Sequence, residues 1–217
     1  MRLNRSCFAL LACLFLIGLG CKSAYYAAWE KLGYEKRDIL VDRVEDARDE
    51  QSGAKQQFKT TLERFQELTN FSGGELEARY KKLKSEYERC EARAAAVSDR
   101  IKAVESVGND LFTEWRAEIS QMSSADLKAR SEQLMNDTRG RYDQLIASMK
   151  NSEAKMKPVL SAFKDQVLFL KANLNAQAIA SLKDTAVSIE TDVQSLIRDM
   201  EASINEANAF IETLNKK

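Results

Sequence analysis

Between Leu76 and Val104 apolar side chains return at alternating steps of four and three residues without a miss: Leu76, Tyr80, Leu83, Tyr87, Cys90, Ala94, Val97, Ile101 and Val104. Two apolar positions in every seven is the period of an α-helix packed against another helix, whereas a strand repeats every two residues and cannot bury such a set on one face. The same spacing runs through the rest of the chain. A helix over about Ala24 to Asn70 is predicted by Leu40, Val44, Ala47, Gln51, Ala54, Phe58, Leu62, Phe65 and Leu68. A later one is predicted by Leu127, Leu134, Thr138, Leu145, Met149, Ser152, Met156, Val159, Phe163, Leu170 and Leu174. A last helix after Asn175 carries Ile179, Leu182, Ala186, Ile189, Val193, Leu196, Met200, Ala207, Phe210 and Leu214.

Composition agrees. Ala, Glu, Lys, Leu and Arg make up roughly half the chain, as in long helices and coiled coils. One Pro and eight Gly in 217 residues leave little for a turn-rich β fold.

Helix boundaries follow from capping chemistry. Ser72-Gly73-Gly74-Glu75 has the form of a capping box, and Ser123-Ser124-Ala125-Asp126 looks like a second. Val107-Gly108-Asn109 reads as a C′ glycine followed by an N-cap, which separates a shorter helix, about Asp110 to Met122, with Leu111, Phe112, Trp115 and Ile119 on one face. The short link Asn70 to Gly74 predicts antiparallel neighbours. Pro158 falls inside the apolar register, so the helix there kinks near Lys155 to Pro158 or two helices abut; the kink is preferred because the register does not shift. The expected fold is all-α: an elongated antiparallel helical bundle or coiled coil of about five helices.

The N-terminus carries an address. Arg2 and Arg5 precede an uninterrupted apolar run from Cys7 to Leu19, the pattern of a secretory signal peptide and too short for a stable membrane span. The run ends at Gly18-Leu19-Gly20-Cys21, which resembles the lipobox cut by bacterial lipoprotein signal peptidase, with Gly18 where that motif usually has Leu. The expectation is a lipoprotein signal over residues 1–20 and a single helical domain over 21–217, with lipid attached at Cys21. Ordinary signal-peptide cleavage is the alternative. Lys22 after the Cys, in place of the Asp that retains enterobacterial lipoproteins in the inner membrane, implies an outer-membrane protein facing the periplasm. Tyr25, Tyr26 and Trp29 lie close behind the anchor and suit a membrane interface, or alternatively cap one end of the bundle.

Two stretches are more specific than a generic coiled coil: YYAAWEKLGYEKRDILVDRVEDARDEQ (25–51) and KMKPVLSAFKDQVLFLKANLNAQAIASL (155–182). With them the chain resembles a bacterial lipoprotein family, the domain of unknown function 2959. The resemblance spans the mature chain and implies a lipoprotein signal and a helical coiled-coil body. It supplies no activity and no catalytic residues.

The residues offer little chemistry of their own. The chain has no His, which removes the commonest general base, the usual triads and most zinc sites. Gly73-Gly74 lacks the Gly-Lys-Ser/Thr of a phosphate loop. Asp38, Asp42 and Asp46 share a helical face and could be imagined around a metal, but Lys36, Arg37, Arg43 and Arg48 lie near enough to pair with them, so a salt-bridged face is expected and no metal or cofactor. Cys90 on the seam reads as a small hydrophobe and Trp115 as a core anchor. Removing residues 1–20 takes two arginines and leaves a net charge of −2, with no basic excess for nucleic acid. The function expected is a non-enzymatic, lipid-anchored binding or scaffold module that meets the membrane through its lipid and binds an envelope protein. A self-associating spacer and a helical-bundle small-molecule binder or enzyme are the alternatives.

Overall fold

The computed structural model describes residues 35–70, 73 and 75–215. The chain divides into two compact units, Met1–Ile39 and Leu40–Lys217. In the first, the backbone N–H of Glu35 donates to Asp38 Oδ2 (3.3 Å), which satisfies a free donor at the start of a helix.

Among the described residues there are five helices and no strand: α1 (Lys36–Thr69), α2 (Leu76–Gln121), α3 (Ala125–Ala172), α4 (Ala176–Ser181) and α5 (Lys183–Asn215). The all-α helical bundle expected from the heptad spacing is the fold observed. At 1.5 Å per residue α2 and α3 are each roughly 70 Å long.

Within the larger unit the helices alternate in direction, as their cross-helix pairs record. Along α1 the partners on α2 fall in number as those on α1 rise: Asp46 with Arg100, Glu50 with Arg93, Gln57 with Glu86. Trp115 with Ser131 and Glu105 with Lys150 align α2 against α3 in the same antiparallel sense. Asn151 with Asp199 and Arg141 with Thr213 do so for α3 and α5, and Arg48 with Asn208 and Lys55 with Glu201 close α5 against α1. Phe65 of α1 meets Phe163 of α3 edge-on at 6.3 Å, while Gln51 bonds Ser152; these two helices run parallel across the bundle. The topology is up-down-up-down.

The seams supply the core. On α1 the expected positions are buried, and Thr61, one residue before Leu62, takes the strict heptad place while donating to the carbonyls of Gln57 and Glu86. On α5 the buried series gains Ser203, a polar residue that completes the alternation between Met200 and Ala207; Ala186 is only half-buried.

Three boundary expectations are corrected. Gly108 does not end a helix: α2 runs unbroken from Leu76 to Gln121, so the helix carrying the Leu76 to Val104 seam and the shorter one expected over about Asp110 to Met122 are one. The seam explains this, because Gly108 stands four residues after Val104 and keeps the register. The start of α2 is capped at Glu75 with no side-chain cap hydrogen bond, three residues later than a Ser72 box would place it, and Gly73 provides the positive φ (140°) of the connecting turn. At the second boundary Ser124 is the N-cap, its hydroxyl accepting from Leu127 N–H (3.4 Å), but Asp126 pairs with Arg130 instead of completing a box.

Two further differences concern α3 and its sequel. One continuous helix passes through Pro158, so abutting helices are excluded. Leu127 and Leu134 are each 59% exposed, and the buried residue before Thr138 is Met135. A three-residue step back from Thr138 keeps the alternation that Tyr142, Leu145 and Met149 continue, and a four-residue step breaks it. The final helix is interrupted at Leu182, giving the short α4, whose N-cap Asn175 accepts from Ala178 N–H (2.9 Å), and then α5.

Candidate binding surface

The sequence-predicted lipid site Cys21 and the interface aromatics Tyr25, Tyr26 and Trp29 lie outside the described residues, as does the portion of the first expected helix before residue 35. Within the acidic series of α1, Asp38 pairs with Arg37, and Asp46 with both Arg43 (3.2 Å) and Arg100 (3.1 Å). Among the described residues no group of three or more His, Cys, Asp or Glu is placed to hold a metal ion, and no helix is long and apolar enough to cross a membrane.

Cys90 is fully buried and unpaired with another cysteine. Burial pushes its thiol up to about 12, so at neutral pH it is a protonated, space-filling group and not a nucleophile. Tyr142 is likewise pushed up to about 12, first by burial and then by the charge of Glu105, against a lowering by Arg139. Its ring lies between Phe112 (5.3 Å) and Phe210 (6.1 Å), with the Arg139 guanidinium 5.4 Å from its centroid. Trp115 is half-buried, stacks on Phe112 and donates its indole N–H to Ser131 (3.0 Å), which makes it an anchor between α2 and α3.

Among the described residues Arg64 Nε is a buried polar atom without a hydrogen-bond partner, whereas the polar layer at the centre of the bundle is satisfied internally. Gln51 of α1 donates to Ser152 of α3 (3.1 Å) and accepts from Ser203 of α5 (2.8 Å), and Ser152 in turn donates to the Met149 carbonyl (2.8 Å). All three side chains have no solvent exposure. Such a layer contributes specificity: sliding any one helix by a residue would strand a buried donor or acceptor at a cost of about 1–3 kcal/mol.

One surface open to a partner is the outside of α2 and α3. A groove of ≈ 400 Å³ runs between them, with Ala94 and Tyr87 on one wall and Met156 and Leu160 on the other. Its rim carries Glu91 from α2 and Glu153, Lys157 and Lys164 from α3. Burial, and after it the neighbouring Glu91 carboxylate, raise the Tyr87 phenol. Glu153, Lys157 and Lys164 make no ion pair among the described residues, in contrast to Lys150 and Lys155 on the same helix, which reach Glu105 and Asp199. Tyr87, Ala94 and Met156 are seam positions expected from the heptad spacing, but the charged residues of the rim do not stand out in the sequence. Glu153 and Lys157 are four apart, a spacing that ordinarily reads as a mutual pair, and only the packing of α2 on α3 reveals them as the rim of one groove.

These features define an antiparallel helical bundle whose interior is locked by packing and small polar layers and whose accessible chemistry lies on helix surfaces. The chain belongs to the family described as "Protein of unknown function (DUF2959)", whose model matches residues 25–214. No curated protein matches it.

Proposed function

We propose that this protein is a lipid-anchored module of the bacterial envelope that works by binding another protein along its helices, not by turnover. The observation that carries this reading is the groove between α2 and α3, where an apolar floor is bordered by charges without partners among the described residues. The ionisable groups with the largest upward shifts, Tyr87, Cys90 and Tyr142, are held neutral at physiological pH, the opposite of what a nucleophile or general base requires. The anchor rests on Gly18-Leu19-Gly20-Cys21 and the apolar run before it, and two or more acyl chains give stable attachment where one does not. In this reading Cys21 holds the bundle at the outer membrane on its periplasmic side.

Labelling cells with radioactive palmitate and capturing the protein from crosslinked envelopes tests both halves. The wild-type chain should take up label and retain a reproducible envelope protein, and Cys21→Ser should lose the label and the membrane fraction. An unlabelled wild-type protein would end the anchor proposal. Equal capture by Cys21→Ser from the same fraction would show that anchoring is irrelevant to binding.

A further inference from the structure

One line of heptad positions on α3 lies along α5. Arg141 donates to Thr213, and Lys155, two heptads further on, reaches Ser195 (3.2 Å). Leu134 and Leu127 stand one and two heptads before Arg141 on the same line, yet each is 59% exposed. The reason is that α5 stops: it ends at Asn215, two residues past Thr213, while α3 reaches back to Ala125. At 1.5 Å per residue about 20 Å of α3 therefore runs on beyond α5, with the end of α2 beside it. From Thr113 to Leu134 only Ile119 is buried. The line that packs on α5 thus continues, with leucines in place of polar residues, where no described helix covers it. What fits there is a helix antiparallel to α3, as α5 is, with apolar side chains seven residues apart.

The same stretch of a second copy has those properties. A two-fold axis at right angles to α3, passing between Arg130 and Ser131, makes the two α3 helices antiparallel and sets Leu127 of each copy opposite Leu134 of the other. It also matches the space. The second copy's N-cap, Ser124, comes level with residue 137, near where α5 ends, so each overhang fills the place that α5 leaves. With both copies' α2 the section then holds four helices, the number that closes the body of the larger unit. Arg130, beside the axis, has its charge met by Asp126 on its own helix (3.0 Å). A contact that uses one surface twice is isologous and closes as a dimer. We infer that the overhang of α2 and α3 past the end of α5 is a homodimer surface, occupied by the same overhang of a second copy of this chain, with reciprocal Leu127–Leu134 contacts that extend the α3/α5 interface. It takes no residue from the groove at Tyr87 and Met156 and needs no lipid, so failure of the envelope-binding reading leaves it standing.

Complementary charges are the test. The full chain in non-ionic detergent is followed by sedimentation equilibrium over a range of concentrations. The wild type should move between monomer and dimer on dilution. Leu127→Lys and Leu134→Glu, each of which strips two leucine contacts from the dimer, should weaken it about tenfold or more. The double variant Leu127→Lys/Leu134→Glu sets opposite charges across both contacts in this register, and like charges if each position met its own counterpart, so it should dimerise more tightly than either single variant. Such recovery also excludes misfolding as the cause of the single effects. Leu168→Lys, at a leucine 51% exposed near the other end of α3, should dimerise as the wild type does. A wild type that is monomeric throughout would overturn the assignment and leave the two leucines to a different occupant. A dimer indifferent to the single substitutions, equally weakened by Leu168→Lys, or no tighter in the double variant than in either single one would overturn it as well.

Discussion

A methyl group added at Gly108 would fall 2.4 Å from the Tyr142 ring, closer than real contacts allow. Glycine is normally a poor helix residue, worse than alanine by about 1 kcal/mol, so Gly→Ala inside a helix ordinarily stabilises. Here the ring is hemmed in by Phe112 and Phe210 and its hydroxyl reaches the Val104 carbonyl (3.4 Å), so it has no room to retreat. Overpacking costs about 1–3 kcal/mol, which outweighs the propensity gain. Gly108→Ala is therefore expected to lower stability by about 1–2 kcal/mol in urea unfolding, whereas Gly140→Ala, where nothing lies within 4 Å, should raise it. An unchanged midpoint for Gly108→Ala would mean that the glycine has another purpose. The sequence signal here was ambiguous in a physical sense: the same residue type ends helices and lets aromatic rings approach them, and only the identity of the neighbour on α3 decides between the two.

Between the helices, the polar members of the seams decide register. Gln51 and Ser152 were legible as seam positions because their apolar neighbours flank them at the right spacing. Ser203 is not legible in the same way, because α5 reads as a heptad series with one gap, and a hydroxyl in that gap gains its meaning from Gln51, 152 residues away. Ser203→Ala would leave Gln51 Oε1 buried without that donor, and should cost about 1–3 kcal/mol. Combining it with Gln51→Leu removes the stranded acceptor, and because Ser152 keeps the Met149 carbonyl, most of the loss should return. A double-mutant cycle by denaturant unfolding measures this, and strictly additive losses would show that the layer is not coupled. The displaced register at the start of α3 has a related cause. Leu134 and Met135 both satisfy an apolar pattern, and the choice follows from which of them continues the series through Tyr142 that meets α2 and α5.

For the larger unit as a whole, stability is tied to keeping a few acidic groups protonated. Cys90 and Tyr142 titrate near 12 in the fold because burial disfavours their anions, while in the unfolded chain they return to about 9 and 10. Above about pH 9 the unfolded chain therefore holds fewer protons than the folded one, and stability falls as pH rises. The contribution is complete below that point and disappears as pH passes through the folded values near 12. Melts followed by circular dichroism should give a lower midpoint at about pH 10.5 than at about pH 8, with no comparable feature near neutrality, since the chain has no His. A midpoint that held level across this range would contradict the burial of these groups.

From the chain alone came the all-α class, nearly all of the buried stripe on α1 and α5, the antiparallel start and the family. Those properties are local: a period of two apolar residues in seven is written within one helix and needs no knowledge of its neighbours. Which helices touch, why Gly108 continues a helix, how Gln51 finds Ser152 and Ser203, and which surface charges surround a common groove were decided by the tertiary structure. Each depends on the axial offset between helices that lie far apart in sequence, and that offset is set by the simultaneous packing of all the seams.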